Sequence, residues 1–230
     1  MLKYPKIETI FERDQRSFKV ILGKIRCEEF KNIKNWLITE KIDGTNIRVE
    51  YINNKSPELF FKGRTDKAQI PTFLFEKLQK MFKIEQFMEI FPDVAQVCLF
   101  GEGYGEKIQK GGGNYRKGVS FRLFDVWIDG WWLKWEDIKD IAKKLNIKTV
   151  PSLGIMPLEK AVEIINPHPK QYNYSVDLKS TVAYEENGEN IPAEGIVATA
   201  YPLVLFRNGN PLKWKLKARD FKKEEVKGRR

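Results

Sequence analysis

Histidine and cysteine are almost missing from this chain of 230 residues, which has one histidine, His168, and two cysteines, Cys27 and Cys98. Two cysteines so placed build neither a disulfide framework nor the paired spacing of a metal site. A reducing cytoplasm is the compartment this usage favours. His168, in "NPHPK", reads as a loop residue. No apolar run approaches the roughly 20 residues of a membrane-spanning helix. The N-terminus, "MLKYPKIETIFERDQR", is rich in acids and lacks the apolar core of a signal peptide. Secretion and membrane insertion are therefore not expected. There is no internal repeat, and the only low-complexity stretch is Gly111-Gly112-Gly113, whose surroundings, "KGGGN", read as a flexible loop by composition.

What is present is enough apolar material for a sizeable core, with 42% hydrophobic and 13% aromatic residues, and one domain is expected. Lys and Arg number 41 against 31 Asp and Glu, a formal charge of +10 with a pI near 9.4, which favours a polyanionic partner. Strand-like segments at 36–40, 46–52, 59–63, 95–102, 119–128, 194–200 and 212–217 are separated by Gly-, Asn- and Pro-rich joints. Between them, "TFLFEKLQKMFKIEQFMEIF" places Leu74, Leu78, Met81 and Phe82 on one helical face, and "WEDIKDIAKKLN" and "LEKAVEIIN" read as two further helices. The expected class is α+β, with helices packed on antiparallel sheets over residues 1–217 and a charged tail over 218–230 that frays or lies as a surface helix.

One stretch carries more than its fold requires. In "WLITEKIDGTNIRVEYI", Trp36, Ile38 and Glu40 alternate on one side, and Ile47, Val49 and Tyr51 do so on the other side of Asp43-Gly44. A hairpin accounts for Asp43 and Gly44, because glycine takes positive φ without cost, and leaves Lys41 unexplained. Other charged residues also sit at strand-like positions: Glu102 in "VCLFGEGYG", Glu194 in "EGIVATA", and Lys215 and Lys217 in "LKWKLK". A period of two turns Lys215 and Lys217 to one face and Trp214 and Leu216 to the other. If that face lined a cleft, two cations would converge on an anion, which is phosphate chemistry.

"EKIDGTN" resembles motif I of the covalent nucleotidyltransferases, the RNA ligases, DNA ligases and mRNA capping enzymes. The remaining motifs follow in order. "KGRTDK" with Arg64 resembles motif Ia, "LFGEGYGEKIQKGGGNY" with Glu102 motif III, "FRLFDVW" with Phe124 and Asp125 motif IIIa, "AEGIVA" with Glu194 motif IV, and "KWKLK" motif V. Asn46 resembles the RNA ligase branch, since DNA ligases and capping enzymes usually carry Arg there. "YPLVLFRNGNPLKWKLK" is similar to the joint between motifs IV and V in ligases of the RNA ligase 2 type.

The resemblance implies a nucleotidyltransferase, ATP-grasp-like ligase domain and an ATP-dependent RNA ligase. Lys41 would attack the α-phosphate of ATP, AMP would pass to an RNA 5′-phosphate, and a 3′-hydroxyl would complete the joint. Glu102 would hold a ribose hydroxyl, Phe124 would stack on adenine, and Arg64 and Asn46 would position sugar and phosphate. Glu40 and Ile42 would flank the nucleotide, and Lys215 and Lys217 would meet its phosphates. Asp43 and Glu194 would serve Mg2+ or Mn2+, directly or through water. An unperturbed lysine, with a pKa of about 10.4, is almost wholly ammonium near neutrality, so the site is expected to favour the free amine of Lys41. Each residue also has a plain reading: Phe124 as core, Arg64 as a surface cation, Glu102 as a strand-end carboxylate. Thr199 stands where RNA ligase 2 relatives commonly carry Lys, and most relatives continue into a further domain after motif V. The expected partner is RNA, as a nicked duplex or a broken structured RNA, engaged by a monomer. A DNA ligase, a GTP-using capping enzyme and a nucleic-acid-binding module that has lost catalysis are the alternatives.

Overall fold

The computed structural model describes residues 3–165 and 178–221. In chain order the strands are β1 (Glu8–Thr9), β2 (Phe11–Arg13), β3 (Val20–Ile25), β4 (Asn35–Lys41), β5 (Thr45–Ile52), β6 (Glu58–Gly63) and β7 (Gln96–Gly105). They continue with β8 (Val119–Ile128), β9 (Trp131–Trp132), β10 (Lys148–Thr149), β11 (Ser152–Met156), β12 (Gly195–Tyr201) and β13 (Lys213–Lys217). The helices are α1 (Thr72–Met81), α2 (Ile84–Ile90), α3 (Trp135–Lys144), α4 (Leu158–Ile165) and α5 (Thr181–Asn187). The chain divides into two compact units, and the first change of unit within the motif I stretch falls between Lys41 and Ile42.

The first unit comprises Met1–Lys6, Ile42–Pro151 and Val182–Glu189. Its sheet has the order β10-β8-β7-β5-β6, with β9 added on β8, and all pairs are antiparallel except the two-residue β10/β8 pair. Alternation sorts its residues. Ile47, Val49, Tyr51, Leu99, Phe121, Leu123 and Val126 are buried in one cluster with Leu74 and Leu78 of α1 and Ile138 and Ile141 of α3. The register puts Asn46, Arg48, Glu50, Glu102 and Arg122 on the opposite face.

The helix expected over 72–91 is two helices, because Phe82 and Lys83 are extended. A turn of 3.6 residues explains the break: Phe82 and Phe87 both enter the core, and five residues of continuous helix would rotate them about 140° apart. The new N-terminus is secured by the Lys83 amide donating to Gln86 Oε1 at 3.0 Å.

The second unit comprises Ile7–Lys41, Ser152–Thr181 and Asn190–Arg230. Its sheet runs β1-β13-β12-β4-β11, antiparallel apart from the short β1/β13 edge. Trp36, Ile38, Ile196, Ala198, Trp214 and Leu216 pack with Ala161 and Ile165 of α4, and the indoles of Trp36 and Trp214 meet edge to face at 5.7 Å. The segment Ala218–Phe221, the first part of the expected charged tail, is a short 3-10 turn with Asp220 and Phe221 buried. His168 and residues 222–230 lie outside the described residues.

The hairpin reading of 36–52 is overturned. β4 pairs with β12 and β11, whereas β5 pairs with β6 and β7, so the two alternating runs belong to different sheets. Among the described residues no helix is long and apolar enough to cross a membrane.

Packing in the first unit is tight at Gly101, where a Cβ would lie 2.1 Å from the Phe121 ring. Gly101→Ala is expected to destabilise the protein by about 1–3 kcal/mol through overpacking. Urea denaturation checks this, and an unchanged midpoint would show that the Phe121 ring yields freely.

Candidate active site

In the second unit the antiparallel register brings Lys41, Gly195 and Lys217 into line across β4, β12 and β13. Residues directly opposite in a ladder share a face. Glu194, one residue before β12, reaches both lysines: Lys41 Nζ donates to its Oε2 at 2.6 Å and Lys217 Nζ to its Oε1 at 2.5 Å. The three side chains are only 13–19% exposed, which makes these charge-assisted contacts stronger than surface ion pairs. Gly195 is required by the close approach, since a Cβ there would sit 2.2 Å from the Leu216 carbonyl oxygen. The end of β13 is fixed separately. The Lys217 amide donates to Asp220 Oδ2 at 2.8 Å, and Arg13 holds the other carboxylate oxygen at 2.7 Å.

Lys215 lies on the same face as Lys217, with Trp214 and Leu216 buried on the other, as the period of two requires. Burial, then the charges of Lys217 and Lys41, push the Lys215 ammonium below the usual lysine range. Lys213 continues the row and pairs in register with Thr199, so a lysine stands one strand away from the position where relatives commonly place theirs. Glu40 points the opposite way from Lys41. Its carboxylate is buried and accepts from Ser180 Oγ and from the Thr181 amide at 2.9 Å, so its side chain is an anchor for residues 180–181.

In the first unit Asn46, Glu102 and Arg122 are aligned across β5, β7 and β8. Gly44 makes room for this row, because a Cβ there would lie 2.3 Å from the Gly103 carbonyl oxygen and 2.8 Å from Glu102 Cγ. Phe124 falls where the β7/β8 register slips, between the Phe100–Asp125 and Gly101–Leu123 pairs. A bulge re-aims the side chain it carries. Phe124 is half-buried, with its ring edge-on to Tyr4 at 5.1 Å. Tyr4 also donates to Asp125, and its phenol is raised well above the usual range by burial and then by Asp125. Sequence reasoning missed Tyr4, and no local spacing could have found a contact between residues 121 apart. Ile42 is buried and Arg64 is exposed just beyond β6. The nearby buried cation is Arg48, paired with Asp66 at 2.6 Å.

The "KGGGN" stretch is not the slack loop its composition suggested. Gly112–Asn114 forms a 3-10 turn, and a Cβ on Gly112 would lie 1.9 Å from the Gly105 carbonyl oxygen. Gly112 is there for close packing, whereas a Cβ on Gly113 would meet nothing within 4 Å.

Among the described residues no three His, Cys, Asp or Glu side chains gather into a ready metal centre. In the second unit Glu194 offers a carboxylate of the kind that suits a hard cation which keeps most of its waters. Both oxygens of Glu194 hold lysines, so a cation there would share that carboxylate with ammonium groups or displace one.

The RNA ligase family model matches residues 34–215, most of the chain, and the chain belongs to that family. Its fold is that of solved RNA ligases. An arginine-to-alanine mutant of Naegleria gruberi RNA ligase with ATP and Mn aligns over 94% of this chain and 56% of its own, at 17% identity and a TM-score of 0.60. A lysine-to-alanine mutant of the same ligase with ATP and Mn gives 94% and 62%, at 18% identity and 0.61. An archaeal ATP-dependent RNA ligase gives 95% and 49%, at 17% identity and 0.58. The chain thus spans about half to three-fifths of the length of these solved relatives. No curated protein matches significantly.

The lysine row has a consequence for stability. Because the Lys215 pKa is lowered in the folded state, its charge opposes folding at neutral pH, and that penalty lifts as pH rises through the lowered value toward the ordinary lysine range. The melting-temperature difference between Lys215→Met and wild type is therefore expected to favour the variant at neutral pH and to shrink in alkaline buffer. A difference that grew with pH would contradict the assignment.

Proposed function

We propose that this chain is the nucleotidyl-transferring part of an ATP-dependent RNA ligase that joins 3′-hydroxyl and 5′-phosphate ends through a lysyl-AMP intermediate. The observation that carries the reading is the grip of Glu194 on Lys41 and Lys217. It orders a lysine amine at a strand end, beside further lysines able to receive a polyanion. The family match and the solved relatives with ATP and Mn support the choice of nucleotide and reaction.

In the first step Lys41 Nζ, as the free amine, attacks the α-phosphorus of ATP. A phosphorus–nitrogen bond forms, the bond to the bridging oxygen breaks, and pyrophosphate leaves. Glu194 Oε2, at 2.6 Å, is the carboxylate oxygen next to the proton that Nζ must give up. Lys215 and Lys217 donate to phosphate oxygens as negative charge builds, and an arriving anion offsets the burial and the neighbouring lysine charges that depress Lys215. Glu102 and Asn46 receive the ribose, Phe124 stacks on adenine from its bulge, Arg64 reaches phosphate or sugar, and Ile42 and the backbone of Glu40 border the base. Glu194 and Asp43 are the carboxylates that would serve a divalent cation. Mg2+ or Mn2+, when bound, supplies further neutralisation of phosphate charge. AMP then passes from Lys41 to an RNA 5′-phosphate, and a 3′-hydroxyl displaces it.

RNA is held through its phosphates and helix shape, in keeping with the +10 formal charge. The sealing substrate is a nicked duplex or a broken structured RNA, and the ligase acts as a monomer.

Lys41→Ala and Lys41→Arg are both expected to abolish transfer of label from α-labelled ATP to the protein, the second because guanidinium keeps its proton. Retained labelling in either would refute the reading. Glu194→Ala is expected to lower labelling by at least tenfold, and Glu194→Asp by less. Sealing of duplex RNA nicks should weaken with salt by about one log unit in affinity per log unit of salt for each phosphate neutralised, while adenylylation barely responds. Equal salt sensitivity of the two steps would contradict phosphate-based binding.

A further inference from the structure

We infer that the segment from Gly105 to Gly118 clamps the Asp43–Gly44 turn, and that Gln109 and Tyr115 are positioning residues for adenylylation. The inference rests on the reading of Lys41 as nucleophile. Gln109 Nε2 donates to the Gly44 carbonyl oxygen at 3.0 Å, and the Asp43 amide donates to the Tyr115 hydroxyl in a longer contact of 3.4 Å. Both partners are main-chain atoms of the turn that follows Lys41, so these contacts fix where the backbone runs whatever side chain it carries.

The segment can act as a clamp because it is itself rigidly built. The Glu106 amide donates to the Gly118 carbonyl at 2.9 Å, closing its base, and Gly112 packs against Gly105 too closely for any side chain. Tyr115 is 4% exposed, with its ring edge-on to Tyr104 at 6.4 Å, so its hydroxyl is delivered from a buried post.

A second part of the chain holds the segment in place. Arg116 donates to Glu186 Oε2 at 2.7 Å, and Asn187 Nδ2 reaches the carbonyl oxygens of Gly113 and Asn114 at 3.3 Å. Glu186 also accepts from Arg122 at 2.9 Å and from the Tyr104 hydroxyl at 3.1 Å. Burial works against its charge, but Arg122, Lys148 and Arg116 outweigh that and hold its carboxyl below the usual range. Lys41 needs a turn that does not drift, since small displacements at a reacting centre cost rate rather than binding. Gln109 and Tyr115 act here on main-chain atoms of the turn, so their loss should slow chemistry more than it weakens ATP binding.

The test uses the full chain with Gln109→Met, which keeps length and packing but loses the donor, and Tyr115→Phe, which keeps the ring but loses the acceptor. Each is expected to lower the maximal rate of label transfer to Lys41 by roughly three- to tenfold, the range for one lost hydrogen bond. The KM for ATP should stay at its wild-type value, the melting temperature should fall by no more than the loss of one hydrogen bond accounts for, and amide exchange at Asp43 and Gly44 should quicken. A wild-type rate, a loss expressed mainly in KM, or unchanged amide exchange would overturn the clamp. Label found on a residue other than Lys41 in the wild type would instead overturn the reading on which the clamp rests, so the two failures are distinguishable.

Discussion

The second unit depends on one carboxylate holding two lysines from strands on either side of its own. Glu194 could not reach both Lys41 and Lys217 unless β4, β12 and β13 kept their register, and that register is maintained from the opposite face by Trp36, Ile38, Ile196, Trp214 and Leu216. A slip of one residue would send the lysines into the core and the tryptophans out. The apolar face thus acts as the ruler for the charged one. Lys215 shows what the arrangement costs, since burial and then the neighbouring Lys217 and Lys41 disfavour its charge, while Glu8 and Glu194 favour it. A row of lysines on one face of a sheet suits a phosphate-bearing ligand.

The first unit repeats the plan with different chemistry. One face of its sheet is a continuous apolar cluster with α1 and α3, and the other carries Asn46, Glu102 and Arg122 in line. These are donors and acceptors suited to hydroxyl groups and bases rather than a row of cations. The peptide bond between Lys41 and Ile42 passes from one unit to the other, so the two halves of the motif I sequence serve different sheets.

Much of this was legible in the sequence, for reasons that particular residues make plain. A period of two determines which side chains share a face, so Lys215 and Lys217 could be set against Trp214 and Leu216 before any coordinates. The same rule says nothing about which strand lies alongside, and 36–52 therefore looked like a hairpin while its halves pair elsewhere. Helical periodicity ran on through Phe82 because a sum over a window does not register the rotation that Phe87 would suffer. β11 escaped notice because Gly154 and a register shift break its alternation and most of it is exposed. Tyr4 was invisible because its partners are separated from it by most of the first unit's sequence. At Gly112 composition pointed the wrong way, since glycine signals either freedom or a backbone approach that only glycine permits, and here it is the second.

The central claim is that Lys41, ordered by Glu194, becomes the carrier of AMP. Incubation of the protein with ATP and Mg2+, followed by denaturation, proteolysis and mass spectrometry, tests it most directly. The account predicts one AMP adduct, on the peptide that spans Lys41, stable to alkali and released by acid as a phosphoramide is. An adduct on any other residue, or none under conditions in which the protein seals RNA, would contradict it.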